Sequence, residues 1–319
     1  MNIHENIIHL AQLNSRKCYP KKLEEIDKSI PYFQLTKTQI GKYDMKCYAY
    51  EKHDNADRMH LWEQYLNNMI LPNIDYNVDL TGYFNIQLHD SYTYLNDNKD
   101  YKDVLCFSKF KDDKDPILIP DPYFICNWGG MLNGINNEQE WTKKKSKIVF
   151  VGTTTGNREP IKNERINLCL WGLNNKDFCD FNITKVAQMN LSDVKSKIPD
   201  FDKIYRTNMN IPDQMQYKYQ LNLDGNTCKF NVEQYKMSSV VMKYDSREML
   251  WYYPLLQEDV HYVGVNKNNI REKFDFFNNN PQNATIMIYN SKKLSNNIFR
   301  PIIHQIYTVK LLESIALNK

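Results

Sequence analysis

The chain has 319 residues, which allows roughly two domains and a cleft of enzyme size, and 41 basic against 38 acidic residues leave a net charge of +3. So small an excess gives no charge-driven affinity for nucleic acid or a membrane surface, and no apolar run reaches the roughly 18 residues that span a bilayer. The N-terminal MNIHENIIHLAQLNSRKC lacks the basic start and unbroken apolar core of a secretory signal, and the seven cysteines are scattered without CxxC spacing; a reduced, cytoplasmic compartment is expected, with neither a disulfide framework nor a zinc site.

From about residue 55 to 72, Met59, Leu61, Trp62, Tyr65, Leu66, Met69 and Ile70 recur at helical spacing. In GYFNIQLHD, Phe84, Ile86 and Leu88 alternate with polar residues, which predicts a half-buried strand ending at Asp90. VLCFSKF (104 to 110) reads as another strand, followed by the charged run KDDKD and by ILIPDPYFICNWGG, whose prolines predict an irregular segment. IVFV (148 to 151) suits a buried parallel strand; GTTTGNREP then forms a loop, and NERINLCLWGL a helix capped by Asn163. The rhythm repeats in SSVVMKY (238 to 244) as a strand, REMLWYYPLL as a helix, VHYVGV (260 to 265) as a strand and NIREKFDFF as a helix. Strand alternating with helix predicts an α/β fold with parallel sheets. The closing IIHQIYTVKLLESIAL has a wide apolar stripe that needs a docking surface.

A strand, a small-residue loop and a helix in that order open a nucleotide-binding unit. The amides and hydroxyls of the loop after IVFV, with Arg158 close behind, are what a diphosphate needs, because its charge is met by dipoles and a forked guanidinium. The loop matches neither GxxxxGK[ST] nor GxGxxG, so on the pattern alone a plain surface turn is the simpler reading. Asp113 and Asp115 have the Asp-x-Asp form that holds a divalent metal on a nucleotide sugar, set against the simpler reading of a solvated loop. The histidines do not cluster, and His261 in its apolar run reads as a satisfied strand residue.

The order of these segments resembles glycosyltransferase family 90, over roughly residues 80 to 295. FNIQLHD looks like the family's strand ending in the catalytic aspartate; FSKF with IPDPYFICNWGG is similar to its Ser-Lys and Pro/Trp/Gly-Gly segments. IVFVGTTTGNRE resembles its Phe-Arg-Gly-Ser loop, and YKYQLNLDG its lysine and tyrosine run. SSVVMKYDSREMLWYYPLLQEDVHYVGV is the most specific match. Three positions depart from the pattern: Val151 stands where an arginine is usual, Lys229 and Asn231 occupy the place of a displaced cation, and Leu250 replaces an acidic residue.

The resemblance implies a GT-B architecture of two Rossmann-like domains facing a cleft, expected at 1–145 and 146–297, with residues 298–319 as a helix packing back on the first. It implies inverting, metal-independent transfer of a glucose- or xylose-class sugar from a UDP-sugar to a glycan or protein hydroxyl, without cofactor, nucleic acid or membrane span. Asp90 is the implied base; Gly152, Thr153, Thr154 and Arg158, with Arg165, Lys218 and Lys243 behind them, are the implied donor ligands. Trp128, Gly129 and Gly130 fall on the acceptor or sugar side. The alternatives are a metal-dependent transferase using Asp113 and Asp115, and a catalytically inactive sugar-binding or virion-associated member of the family.

Overall fold

The computed structural model describes the chain except for residues 1–2, 16–17, 39–41, 52–54, 90–102, 123–134, 136–138, 207, 226–228 and 319, and the side chains of 229–231. It divides into two compact units: Met1–Trp128 with Arg247–Leu255 and Asn297–Lys319, and Gly129–Ser246 with Leu256–Asn296. The expected boundary at 145/146 thus differs from the observed one, and Arg247–Leu255, expected in the second domain, belongs to the first unit.

In the first unit, α1 (Ile3–Ser15) precedes a hairpin of β1 (Tyr32–Lys37) and β2 (Tyr43–Tyr48). Helix α2 (Ala56–Tyr65) buries Met59, Trp62 and Tyr65 and runs on as a wider helical turn over Leu66–Ile70. Strand β3 (Gly82–Asn85) then pairs antiparallel with β1, bringing Phe33 opposite Phe84 with stacked rings 5.1 Å apart. The three-stranded sheet of this unit, β2-β1-β3, is antiparallel, while Ile86, just after β3, bridges Leu105 in parallel. The physical reason for the antiparallel pairing is the short link between β1 and β2, which admits a hairpin and is too short for the crossover a parallel pair requires. The expected strand at 104 to 110 breaks at Phe107 into β4 (Leu105–Cys106) and β5 (Ser108–Phe110), because its halves find different partners. β4 pairs in parallel with β6 (Ile117–Leu118).

The second unit is built on β7 (Lys145–Thr153), α3 (Glu164–Leu173), β8 (Cys179–Lys185), β9 (Tyr217–Asn222) and β10 (Val240–Tyr244). After β10 the chain enters Arg247–Leu255, where a helix was expected. Instead β11 (Glu248–Leu250) pairs antiparallel with β5, and a single helical turn follows at Tyr253–Leu255. Packing overrides local periodicity here: Trp251 lies 4.9 Å from the His304 ring and 4.7 Å from Tyr307, and Tyr252 lies 4.8 Å from Phe299. Strand β12 (Val263–Val265) is shorter than predicted, since His261 accepts the Gln257 amide at 2.9 Å in a turn just before it. Helix α4 (Ile270–Asn279) buries Ile270, Phe274 and Phe277 as its spacing predicts.

All five strands of this unit are parallel, in the order β12-β10-β9-β7-β8. Numbered within the unit this is 2-1-3-4-5, a doubly wound order whose direction of winding reverses between β7 and β9. One apolar core lies against the sheet, from Trp141 through Phe150, Phe181 and Tyr219 to Phe274 and Met287.

Helix α5 (Pro281–Ile298) follows, and α6 (Pro301–Ala316) belongs to the first unit, where it packs along α1. Asn14 Nδ2 donates to the Tyr307 hydroxyl at 2.8 Å, and that hydroxyl donates to the Leu118 carbonyl at 2.8 Å. Among the described residues no helix is long and apolar enough to cross a membrane, and Cys18, Cys47, Cys106, Cys169 and Cys179 are free thiols.

Candidate functional site

A cavity of about 420 Å³ opens at the carboxyl ends of the parallel strands in the second unit. Gly152 and Thr153 reach it from β7, Thr184 from β8 and Leu221 from β9. It therefore sits at the point between β7 and β9 where the winding reverses, the position at which open α/β sheets bind ligands.

The loop after β7 forms one wall. The pairing register with β8 shifts between Gly152 and Thr153, and this irregularity carries the chain off the sheet. A Cβ on Gly152 would come within 2.7 Å of the Phe150 ring, so the close approach requires glycine. Asn163 then fixes the loop: its Oδ1 accepts from Ile166 N at 3.1 Å, capping α3 as predicted, while Nδ2 donates to the Thr154 and Asn157 carbonyls at 2.9 and 2.8 Å.

The three threonines separate into two roles. Thr154 is fully buried, and its hydroxyl donates to the Ala187 carbonyl and accepts the Ala187 amide, both at 2.9 Å. It ties the loop to the segment after β8 and does not line the cavity. Thr153 and Thr155 do line it, with hydroxyls 3.3 Å apart.

Of the predicted cations, Arg165 alone lines the cavity. Burial pushes its guanidinium down to about 10, opposed by the Asp224 carboxylate, so the group stays charged at neutral pH. Arg158 is exposed on the loop, outside the cavity wall. Lys243 is buried on β10 and pairs with Asp224 at 3.6 Å. Lys218 lies toward the opposite end of β9, its ammonium 4.3 Å from the centre of the Trp141 ring and its pKa lowered by burial. Of the residues expected at the donor, Gly152, Thr153 and Arg165 line the cavity, and Thr154, Arg158, Lys218 and Lys243 do not.

Asp90, Trp128, Gly129 and Gly130 lie outside the described residues. The residues leading to Asp90 are firmly held within the first unit. Arg58 Nη1 donates to the Leu88 carbonyl at 2.6 Å and Nη2 contacts Asp121 at 3.1 Å, while the His89 amide donates to Gln87 Oε1 at 3.0 Å. Asp113 accepts the Phe110 amide at 3.1 Å, closing a turn, and the described residues contain no cluster of three metal-ligating side chains.

Sequence reasoning missed the far wall, made by the segment from Asn208 to Ile211 and by Gln214 and Gln234. Asn210 accepts the Asp213 amide at 2.8 Å, which is a helix-start signal, but nothing in the pattern brings it to β7. Gln234 is committed to the protein, donating to the Leu221 carbonyl at 3.0 Å and accepting from Asn222 at 2.8 Å.

The chain is similar to the C-terminal domain of a glycosyl transferase group 1 family protein (LpcC) from Francisella tularensis, with 12% identity, a TM-score of 0.35, and coverage of 52% of this chain and 94% of that one. It is also similar to Anabaena Alr3699/HepE in complex with UDP, at 12% identity and TM-score 0.36, and in complex with UDP-glucose, at 11% and 0.37. Each HepE match covers 60% of this chain, which spans 56% of the HepE length. No curated protein sequence matches the chain. The sequence model for Glycosyl transferase family 90 matches residues 95–316, well over half of the chain, and the protein belongs to that family.

Proposed function

We propose that the cavity between β7 and β9 holds the nucleoside diphosphate of a UDP-sugar and that the chain transfers the sugar to a hydroxyl of a glycan or protein acceptor. One observation carries this reading: a family 90 chain places Gly152, Thr153, Thr155 and the partly buried Arg165 at the switch point of a parallel sheet. Backbone amides and hydroxyls at such a point offer fixed dipoles to a diphosphate leaving group.

The reaction we propose is inverting and metal-independent, in a GT-B arrangement. A single displacement at the anomeric carbon needs a base on the acceptor hydroxyl, which contributes about 10²- to 10⁴-fold. The family resemblance assigns that role to Asp90 and the acceptor or sugar side to Trp128, Gly129 and Gly130. A glucose- or xylose-class donor is the corresponding expectation.

The test is a panel of nucleotide sugars, read by calorimetry for binding and by release of UDP for turnover, with and without EDTA. Binding of a UDP-sugar followed by EDTA-resistant turnover supports the proposal; absence of nucleotide binding overturns it. The position of Val151 on the cavity wall, where the family usually has arginine, favours one second reading, a family member that binds donor without turning it over. A nucleotide that binds with no UDP release in the presence of any acceptor or of water identifies that case.

A further inference from the structure

Arg165 is the cation on the cavity wall, yet its guanidinium faces the protein. Nε donates to the Asp224 carbonyl at 3.0 Å and Nη2 to the Leu223 carbonyl at 3.1 Å, both just beyond the end of β9. Nη1 donates to the Thr153 carbonyl at 3.1 Å and to the Thr155 hydroxyl at 2.9 Å, both at the end of β7. Four of the five N–H groups of an arginine are thus committed. The acceptors lie at or just beyond the carboxyl ends of the two strands that flank the switch point. The Phe150 ring lies 5.7 Å from the guanidinium, and Gly225 leaves the space it occupies: a Cβ there would sit 2.5 Å from Arg165 Cζ.

We infer that Arg165 is a positioning residue whose guanidinium straps the end of β7 to the end of β9, setting the width of the nucleotide cavity, and that Gly225 is the seat this strap requires. The inference deepens the donor-site reading and rests on it for its functional consequence. A direct phosphate ligand needs N–H groups aimed at the anion, in forked pairs; here both forks are closed on the protein, and only one N–H is left uncommitted among the described residues. Lysine preserves the charge but cannot bridge four acceptors in a plane. Charge and geometry therefore separate in a single substitution.

The experiment compares wild type with Arg165→Lys, Arg165→Ala and Gly225→Ala, each checked for folding by circular dichroism. Hydrogen exchange of the free protein tests the strap without any ligand. Arg165→Lys and Gly225→Ala are both expected to raise exchange at residues 152–156 and 222–225 together by ~10-fold or more, because buried carbonyls lose their donors. UDP binding by calorimetry and uridine binding by NMR titration test the consequence. Both ligands are expected to weaken by similar factors in all three variants, with no rescue by lysine. Unchanged exchange in Arg165→Lys overturns the strap, whether or not Gly225→Ala folds. Loss of UDP binding with uridine unaffected, or wild-type UDP affinity in Arg165→Lys, overturns positioning in favour of a direct charge contact. Failure of the wild type to bind either ligand counts against the donor site alone, since the exchange data still decide the strap.

Discussion

The carboxamide of Asn163 donates from Nδ2 to the carbonyl of Thr154 at 2.9 Å, across nine residues of chain, while its other end caps α3. One buried side chain thus fixes both the helix start and the loop that walls the cavity. Asn163→Ala should lower stability by about 2–3 kcal/mol, combining a lost cap with a buried carbonyl left without its donor. Asn163→Asp keeps the acceptor for Ile166 N but turns a buried carboxylate oxygen onto the Thr154 and Asn157 carbonyls, so it should cost at least as much as alanine in urea unfolding. It also sets a carboxylate by the loop, and UDP binding should weaken more than stability does. An alanine variant within about 0.5 kcal/mol of wild type would show that the loop holds itself.

Thr154 and Thr155 are neighbours with different duties, and paired substitutions separate them. Thr154→Val breaks both hydrogen bonds to Ala187 and should cost about 1–2 kcal/mol of stability. Thr155→Val removes a hydroxyl that lines the cavity and accepts from Arg165, so its larger effect should be on UDP affinity. Equal effects of the two on affinity, at equal stability, would contradict the division of roles.

The second unit was legible because its signals are local. IVFV, Asn163 ahead of NERINLCLWGL, and the Ile270, Phe274 and Phe277 face each specify an element within one short window, and the βα order then implies parallel pairing. The antiparallel sheet of the first unit escaped because its hairpin has no alternating apolar pattern as plain as that of residues 84 to 88. Within REMLWYYPLL, Trp251 and Tyr252 fit a helix by spacing and a strand or turn by composition; contacts with His304 and Phe299, some 50 residues away, decided the matter. The direction of side chains at the site was not legible at all. Thr153, Thr154 and Thr155 are chemically identical in sequence, yet Thr154 turns to Ala187 while Thr153 and Thr155 line the cavity.

Arg58 and Asp121 are nearly completely buried and meet at 3.1 Å, with Arg58 also holding the Leu88 carbonyl two residues before Asp90 in the chain. Removing the guanidinium takes an ion-pair partner from buried Asp121 and the donor from Leu88, so Arg58→Ala should destabilise by about 3–5 kcal/mol. The apolar double variant Arg58→Met with Asp121→Leu should recover much of that loss, because no charge is left behind. Transfer activity should stay low even in the recovered double variant, since the Leu88 carbonyl has lost its donor. Full activity there would show that the approach to Asp90 does not depend on Arg58.

His304 gives a pH dependence whose sign follows from burial. The imidazole is fully enclosed beside Trp251, and burial pushes its pKa from 6.5 down to about 3. Between those values the unfolded chain binds a proton that the folded chain refuses, so acidification favours unfolding. The stabilising contribution is complete above about pH 6.5 and is lost progressively as pH falls toward 3, with a limiting slope of about 1.4 kcal/mol per pH unit. Other groups titrate in the same range, so the measurement is a difference: urea unfolding of wild type and His304→Phe at intervals from pH 8 to pH 4. Phenylalanine keeps an aromatic ring against Trp251 and removes the titration. The stability difference should be constant from pH 8 to 7 and then move against the wild type below pH 6. A difference that stays flat to pH 4 would mean that the ring titrates alike in both states and that its burial carries no linkage to folding.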